Sequence, residues 1–234
     1  MATQAAAIFF DMDGTLLDWK TGMEESWLAS CETNCDGSYE PLALHEAIKV
    51  RRTWFWDDHD RATRGRMDLN GASREIVRHA FADSGLDAHA LSDAIADRYR
   101  ALRLDVMALY PGAIETLAEV RRRGMRAALL TNGEARSQRH SVERFGLAPY
   151  FDCVVIEGEF GVGKPDVRVF EHALASCGVA PEQTWMVGDS LEADIAPAVA
   201  LGMRAIWIPD EPGREPTDGA RPHRTIAGIH ELLP

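Results

Sequence analysis

The sequence predicts an α/β fold, a parallel sheet flanked by helices with a block of helices inserted after its first strand. Three observations predict it. Short apolar runs alternate with helix-length segments from residue 110 onward, the pattern of a parallel sheet covered on both faces. One further apolar run, Ala5 to Phe10, stands far upstream of the others. Between them lies a long stretch with helical periodicity and almost no strand signal.

The upstream run ends abruptly at Asp11. A short apolar run closed by polar and Gly residues reads as a buried strand. From Asp18 to Leu104 the periodicity predicts helices over roughly 22–34, 40–62 and 72–103, with a break near Gly85. From Tyr110-Pro111-Gly112 the rhythm changes. Helices are predicted over Ala113 to Arg123, Ala135 to Phe145, Val167 to Cys177 and Ala193 to Leu201, each followed by a glycine at or near its end, as helix C-termini prefer. Strands are predicted at 126–130, 153–156, 185–187 and 205–208. Segment 210–224, with three Pro and two Gly, reads as a loop, and a last short helix starts near Ile226.

A lone strand is not stable by itself, so residues 7–10 belong with the later sheet. The predicted organisation is a Rossmann-like α/β core of residues 1–17 and 105–234, interrupted by a helical cap of residues 18–104. Ligands of open parallel sheets sit at the carboxyl ends of the strands, which directs attention to four places.

Strand one runs into Asp11-Met12-Asp13-Gly14-Thr15-Leu16, and strand two into Thr131-Asn132-Gly133. Gly161-Val162-Gly163-Lys164-Pro165 follows strand three, and strand four ends in Gly188-Asp189-Ser190 with Asp194 beyond. This set suits phosphate chemistry. Carboxylates gathered at one edge repel each other and raise one another's pKa. A hard cation removes the conflict, and Mg²⁺ takes oxygen ligands from one or two carboxylates plus substrate phosphate. Thr131 offers a hydroxyl, Asn132 an amide and Lys164 a positive charge for phosphate oxygens. One carboxylate can attack phosphorus. A second, two residues on, can protonate the leaving oxygen and then activate water.

These motifs resemble the haloacid dehalogenase (HAD) superfamily, and within it the Mg²⁺-dependent phosphatases with a helical cap, close to the pyrimidine 5′-nucleotidase / N-acylneuraminate-9-phosphatase-like branch. The resemblance is strong over 5–18 and 105–210 and weak in the cap. It implies Asp11 as nucleophile and Asp13 as general acid/base. It implies Mg²⁺ held by Asp11, by the Asp13 backbone carbonyl and by Asp189. Thr131 and Asn132 hold the phosphate, Lys164 fixes nucleophile and phosphate, and Asp194 orients Lys164 or metal-bound water. The cap is expected to close on a small substrate, a nucleoside monophosphate or a sugar phosphate.

Two positions depart from the pattern. Pro197 stands where relatives often have Gly, and Glu134 where the nucleotidase branch often has an aromatic residue. A phosphomutase and a 2-haloacid dehalogenase remain alternative reactions on this scaffold. Asp13 argues against the dehalogenase, whose relatives lack the second Asp, and Gly71-Ala72-Ser73-Arg74 is faintly similar to the mutase branch. A module without chemistry is expected to have lost one of Asp11, Asp13, Lys164 or Asp189, yet all are present. In the cap, Trp54-Phe55-Trp56 reads as cap core or as pocket lining, and Arg64, Arg66, Arg74 and Arg78 as solvated residues or as clamps for a second anionic group. His59, His79 and His89 read as surface residues.

Composition limits the partners. Of 234 residues, 25 are Lys or Arg and 37 Asp or Glu, a net charge of −12. Such a surface repels nucleic acid phosphates and anionic lipids, so no nucleic acid polymer and no membrane is expected as a partner. No stretch approaches the roughly 20 apolar residues that span a bilayer, and the first ten residues lack a basic signal-peptide start. Cys31, Cys35, Cys153 and Cys177 form no CxxC pair. A cytoplasmic monomer or homodimer acting on a small phosphorylated substrate is the expectation.

Overall fold

Central strands of a parallel sheet are buried on both faces and read as continuous apolar runs. Strand β1 (Ala7–Phe10) is such a run, and all four residues are fully buried. The computed structural model describes residues 5–86, 89–211, 213–216 and 221–233. The remaining strands are β2 (Leu17–Asp18), β3 (Ala108–Leu109), β4 (Arg126–Thr131), β5 (Cys153–Ile156), β6 (Thr184–Gly188), β7 (Arg204–Trp207) and β8 (Arg224–Thr225). Six of them form one sheet in the order β5-β4-β1-β6-β7-β8, parallel throughout. The chain builds outward from β1 to β4 and β5, then returns to β6 on its other side. The strand order therefore reverses beside β1, and the crevice at such a switch point is where open α/β sheets bind ligands. The pair β2–β3 is antiparallel, with Leu17 opposite Leu109.

The chain divides into two compact units, Met1–Asp18 with Ala108–Pro234, and Trp19–Met107. The inserted unit consists of α1 (Met23–Thr33), α2 (Pro41–Trp56), α3 (His59–Met67), α4 (Leu69–Asp83) and α5 (His89–Val106). Its core joins Trp27, Phe55, Ile76, Phe81 and Ile95, and Trp27 stacks on Tyr99 at 3.5 Å. The helix expected over 40–62 is two helices. Asp58 takes an extended conformation and accepts the Arg61 N–H at 2.8 Å, capping α3. The break expected near Gly85 within 72–103 is present, between α4 and α5.

The sheet unit carries α6 (Ala113–Arg122), α7 (Ala135–Arg144), α8 (Glu157–Phe160), α9 (Val167–Cys177) and α10 (Ala196–Ala200). One core packs β-strand residues Phe9, Leu130, Met186 and Trp207 against Phe170 and Ile195. Four features differ from the sequence reading. Arg224 and Thr225 pair with β7 at the end of the segment read as loop. The helix expected from Ile226 is a single 3₁₀ turn, Ile229–Glu231. The short α8 had no periodicity to announce it. The helix expected over 193–201 begins as a π-helical turn, Leu191–Ile195, before α10. Pro197 lies in the first turn of α10, where a helix accepts proline. Among the described residues no helix is long and apolar enough to cross a membrane.

Candidate active site

The site is assembled from the segments just beyond the strand ends around the switch point. Asp11 leaves β1 still held to the sheet, its N–H donating to Val187 O at 2.9 Å. The chain then turns tightly. Met12 O accepts the N–H groups of Leu16 and Leu17, each at 2.9 Å. Gly14 has φ +91°, and a Cβ there would overlap the Asp189 carboxylate. Only glycine lets these two segments come so close.

Asp189 follows β6, and its carbonyl accepts the Trp207 indole N–H at 2.8 Å. Ser190 Oγ caps the next turn by accepting the Ala193 N–H at 3.0 Å. The π-helical turn then brings Asp194 back, where its Oδ2 accepts the Ser190 N–H at 3.1 Å. Single π turns recur at functional sites.

Lys164 arrives from the loop between α8 and α9. It is 3% exposed, and its Nζ lies 2.6 Å from both Asp11 Oδ1 and Asp194 Oδ1. Asn132 holds its backbone from both sides, accepting the Lys164 N–H and donating to the Lys164 carbonyl, each at 2.7 Å. The amide read as a phosphate donor is thus engaged with the lysine. Thr131, at the end of β4, is 2% exposed, and its Oγ1 is buried with no hydrogen-bond partner among the described residues. Asp11 Oδ2 is in the same condition.

The electrostatics follow from burial. Desolvation pulls the Lys164 ammonium down, but the Asp11 and Asp194 charges outweigh it and hold its pKa above the ordinary value. Burial pushes the Asp194 carboxyl up to about 6, with Lys164 pulling against the rise and Asp11 adding to it.

Carboxylate oxygens of Asp11, Asp189 and Asp194 lie within 4.8 Å of one another. Three carboxylates against one ammonium leave two negative charges, the charge that a divalent cation neutralises. Donors that are all hard oxygens suit Mg²⁺. The buried, unpartnered Asp11 Oδ2 is a further place for a cation or a reacting phosphorus. The residues present fit the group.

The structure thus brings together Asp11, Lys164, Asp189 and Asp194. Asp13 joins them through a residue that the sequence reading missed. Gln138, on α7, donates to Asp13 Oδ2 at 2.8 Å and to Asn132 O at 2.7 Å. Glu157 was also missed; it is buried, and its Oε2 accepts the Gly133 N–H at 2.9 Å. Both left a signal. Gln138 is a polar residue on the buried face of α7, beside Ser141 and Val142. Glu157 directly follows the apolar run of β5, as the other site residues follow theirs.

The candidate residues of the inserted unit have partners within it. Arg64 pairs with Glu75 at 2.9 Å, Arg74 with Asp97 at 2.8 Å and Arg78 with Asp93 at 2.7 Å. Arg66 donates to Thr63 Oγ1 at 3.2 Å. Arginines already forked onto carboxylates make poor clamps for a second anion. Phe55 is buried core, Trp56 is exposed, and Trp54 stacks under the Arg61 guanidinium at 3.9 Å. His59 is exposed, as is His79, which meets the Trp54 ring at 4.8 Å. The side chain of His89 lies outside the described residues.

A parallel sheet that delivers a buried carboxylate, paired with a buried lysine, to its switch point defines an α/β enzyme whose chemistry is carried by strand-end side chains. The chain belongs to the haloacid dehalogenase-like hydrolases, whose family model matches residues 5–202. Along 98% of its length it is 28% identical to the N-acylneuraminate-9-phosphatase of Rattus norvegicus, covering 93% of that protein. It is 29% identical to the pyrimidine 5′-nucleotidase YjjG of Escherichia coli, over 96% of this chain and 95% of the other. A phosphoserine phosphatase of Thermus thermophilus is 48% identical over 126 residues, which span 53% of this chain and 50% of that protein. Among solved structures, the HAD-hydrolase YfnB of Bacillus subtilis, crystallised bound to magnesium, has a TM-score of 0.75 at 20% identity and covers 98% of this chain and 97% of its own.

Proposed function

We propose that the protein is a Mg²⁺-dependent phosphomonoester hydrolase that acts on a small phosphorylated metabolite through an aspartyl-phosphate on Asp11. The observation that carries this reading is the Asp11 carboxylate itself. One oxygen is fixed at 2.6 Å from the Lys164 ammonium, and the other is buried without a hydrogen-bond partner among the described residues.

In the first step an Asp11 oxygen attacks phosphorus, the bond from phosphorus to the ester oxygen breaks, and Asp13 gives its proton to the departing alcohol. In the second, Asp13 takes a proton from water as the water oxygen attacks the phosphoryl group. The bond between phosphorus and the Asp11 oxygen breaks, returning the carboxylate and releasing inorganic phosphate. Lys164 compensates charge on Asp11 and on the phosphoryl oxygens, Thr131 Oγ1 offers a hydrogen bond to one of them, and Asn132 acts by fixing Lys164. Asp194 holds the lysine from its other side. Asp11, Asp189 and the Asp13 carbonyl would hold Mg²⁺, which supplies charge neutralisation to the phosphoryl group.

Relatives named for a phosphorylated sugar acid and for pyrimidine nucleotides, aligned over nearly the whole chain, support a sugar phosphate or a nucleoside monophosphate as substrate. The test is phosphate release from a panel of nucleotides, sugar phosphates and small acid phosphates, with Mg²⁺ and with chelator. Mg²⁺-dependent release that disappears in Asp11→Asn is expected. Full turnover by that variant would remove Asp11 as nucleophile. Transfer of phosphate between substrate positions without release would make the enzyme a mutase.

A further inference from the structure

Gln138 carries two hydrogen bonds that leave its amide no second orientation. Both partners of its Nε2, the Asp13 carboxylate at 2.8 Å and the Asn132 carbonyl at 2.7 Å, are acceptors. Flipping the amide would set its oxygen against two other oxygens, so the NH₂ group must face them. The side chain is buried, 8% exposed, and it rises from α7, a helix that the strand-end motifs do not reach.

We propose that Gln138 is the positioning residue of the acid/base Asp13, a role that rests on the hydrolase reading above. An oxygen that accepts an N–H is a poor seat for a proton, so the donation to Oδ2 directs the acid proton of Asp13 to its other oxygen. It also fixes the rotation of the carboxyl group about its terminal bond, a broad torsion when left to itself. The second bond anchors Gln138 to the Asn132 carbonyl, and the Asn132 side chain grips Lys164. The acid/base and the lysine beside the nucleophile thereby share one frame. A misaimed proton donor slows only those steps in which a proton moves.

The test uses Gln138→Leu and Gln138→Met in the full-length protein, with Ser137→Ala on the same helix as control. Ser137 donates to Glu134 at 2.7 Å, away from Asp13, and its variant is expected to match the wild type. Two probes are used. Phenyl phosphate must have its departing oxygen protonated, whereas p-nitrophenyl phosphate releases a stable anion. General acid/base catalysis is worth about 10²–10⁴ in rate, so mispositioning is expected to lower kcat for phenyl phosphate by about 30-fold or more, with KM little changed. The pre-steady-state burst of nitrophenolate keeps its wild-type rate, and only the following steady state, which needs the base, slows. Equal losses in the burst and with phenyl phosphate, or no loss with either, would overturn the proposal. Wild-type protein that releases phosphate from neither probe nor from the metabolite panel would overturn the hydrolase reading, and this one with it.

Discussion

The side chain of Asn132 and the backbone of Lys164 form a closed two-way hydrogen bond, 2.7 Å in each direction, across 32 residues of sequence. A strand-end residue is thereby put directly in charge of where the buried ammonium points.

Replacing Asn132 with Leu leaves a Lys164 N–H and a carbonyl unpaired inside the protein, at a cost of about 1–3 kcal/mol for each group. At the ~2–4 °C per kcal/mol of chains this size, Tm should fall by about 5 °C or more. Activity should fall further than stability suggests, by about 100-fold, because small misplacements of reacting groups are that expensive. Calorimetry and phosphate release on the same preparation separate the two effects.

Gly14 and Gly37 both have positive φ, +91° and +88°, but only Gly14 would press a Cβ onto Asp189, while Gly37 has nothing within 4 Å. Alanine at either position should cost roughly 1 kcal/mol of backbone strain. Only Gly14→Ala should also weaken Mg²⁺ binding, by about 10-fold or more, as displaced supporting groups do at metal sites. Titration calorimetry with Mg²⁺ alone reads the difference. Equal affinity in both variants would separate Asp189 from the metal.

Removing one partner of a buried charge cluster costs about 3–5 kcal/mol, and Lys164→Met strands two buried carboxylates, Asp11 and Asp194. The pH dependence has a definite sign. Asp194 stands at about 6, above the ordinary carboxylate range, because of burial. Its protonation therefore favours the fold. That contribution is complete below about 4, the ordinary aspartate value, and is lost as pH rises through about 6. Without the lysine that opposes it, the shift grows. The Tm deficit of the variant should widen from pH 5 to pH 8, and a deficit constant over that interval would contradict the assignment.

Asp152 shows the opposite sign. Burial raises its carboxyl, but the Ala127 N–H and the Arg126 and Arg121 guanidinium groups outweigh burial and hold it below its ordinary value. It accepts from Ala127 N at 2.9 Å and from Arg126 at 2.8 Å, tying the start of β4 to the turn before β5. Stability from this group is present above the unfolded pKa and lost as pH falls through the folded one. Both arginines are well exposed, so Asp152→Asn should cost only about 1 kcal/mol at neutral pH. The difference from wild type should shrink in acid melts as pH falls below the ordinary aspartate value of about 4 and through the lower folded-state pKa of Asp152.

Much of the architecture was legible because periodicity and punctuation record local demands. Strand β1 announces itself as an apolar run because it lies at the centre of a parallel sheet, buried on both faces. The glycines that close α6, α7 and α9 are written into the chain for the same kind of local reason. The break near Gly85 was legible in its glycine, whereas the interruption at Asp58 was harder to read, because the helical spacing continues across it. The π-helical turn at Leu191–Ile195 could not be read at all, since its reason is the placing of Asp194 against Lys164, 30 residues away.

The same division holds at the site. The sequence by itself determined which residues stand at the strand ends, Asp11, Asp13, Thr131, Asn132 and Asp189, with Lys164 in the segment after β5, because a strand end is a local event of composition. It also determined that these residues are mostly oxygen donors, with one lysine among them. Only the tertiary structure decided how they are joined: Asn132 to the backbone of Lys164, Gln138 to Asp13, and the cap arginines to their own carboxylates. Those pairings span from 11 to 125 residues of chain. No local pattern encodes them, because a buried polar group is satisfied by whatever the fold brings within hydrogen-bond reach.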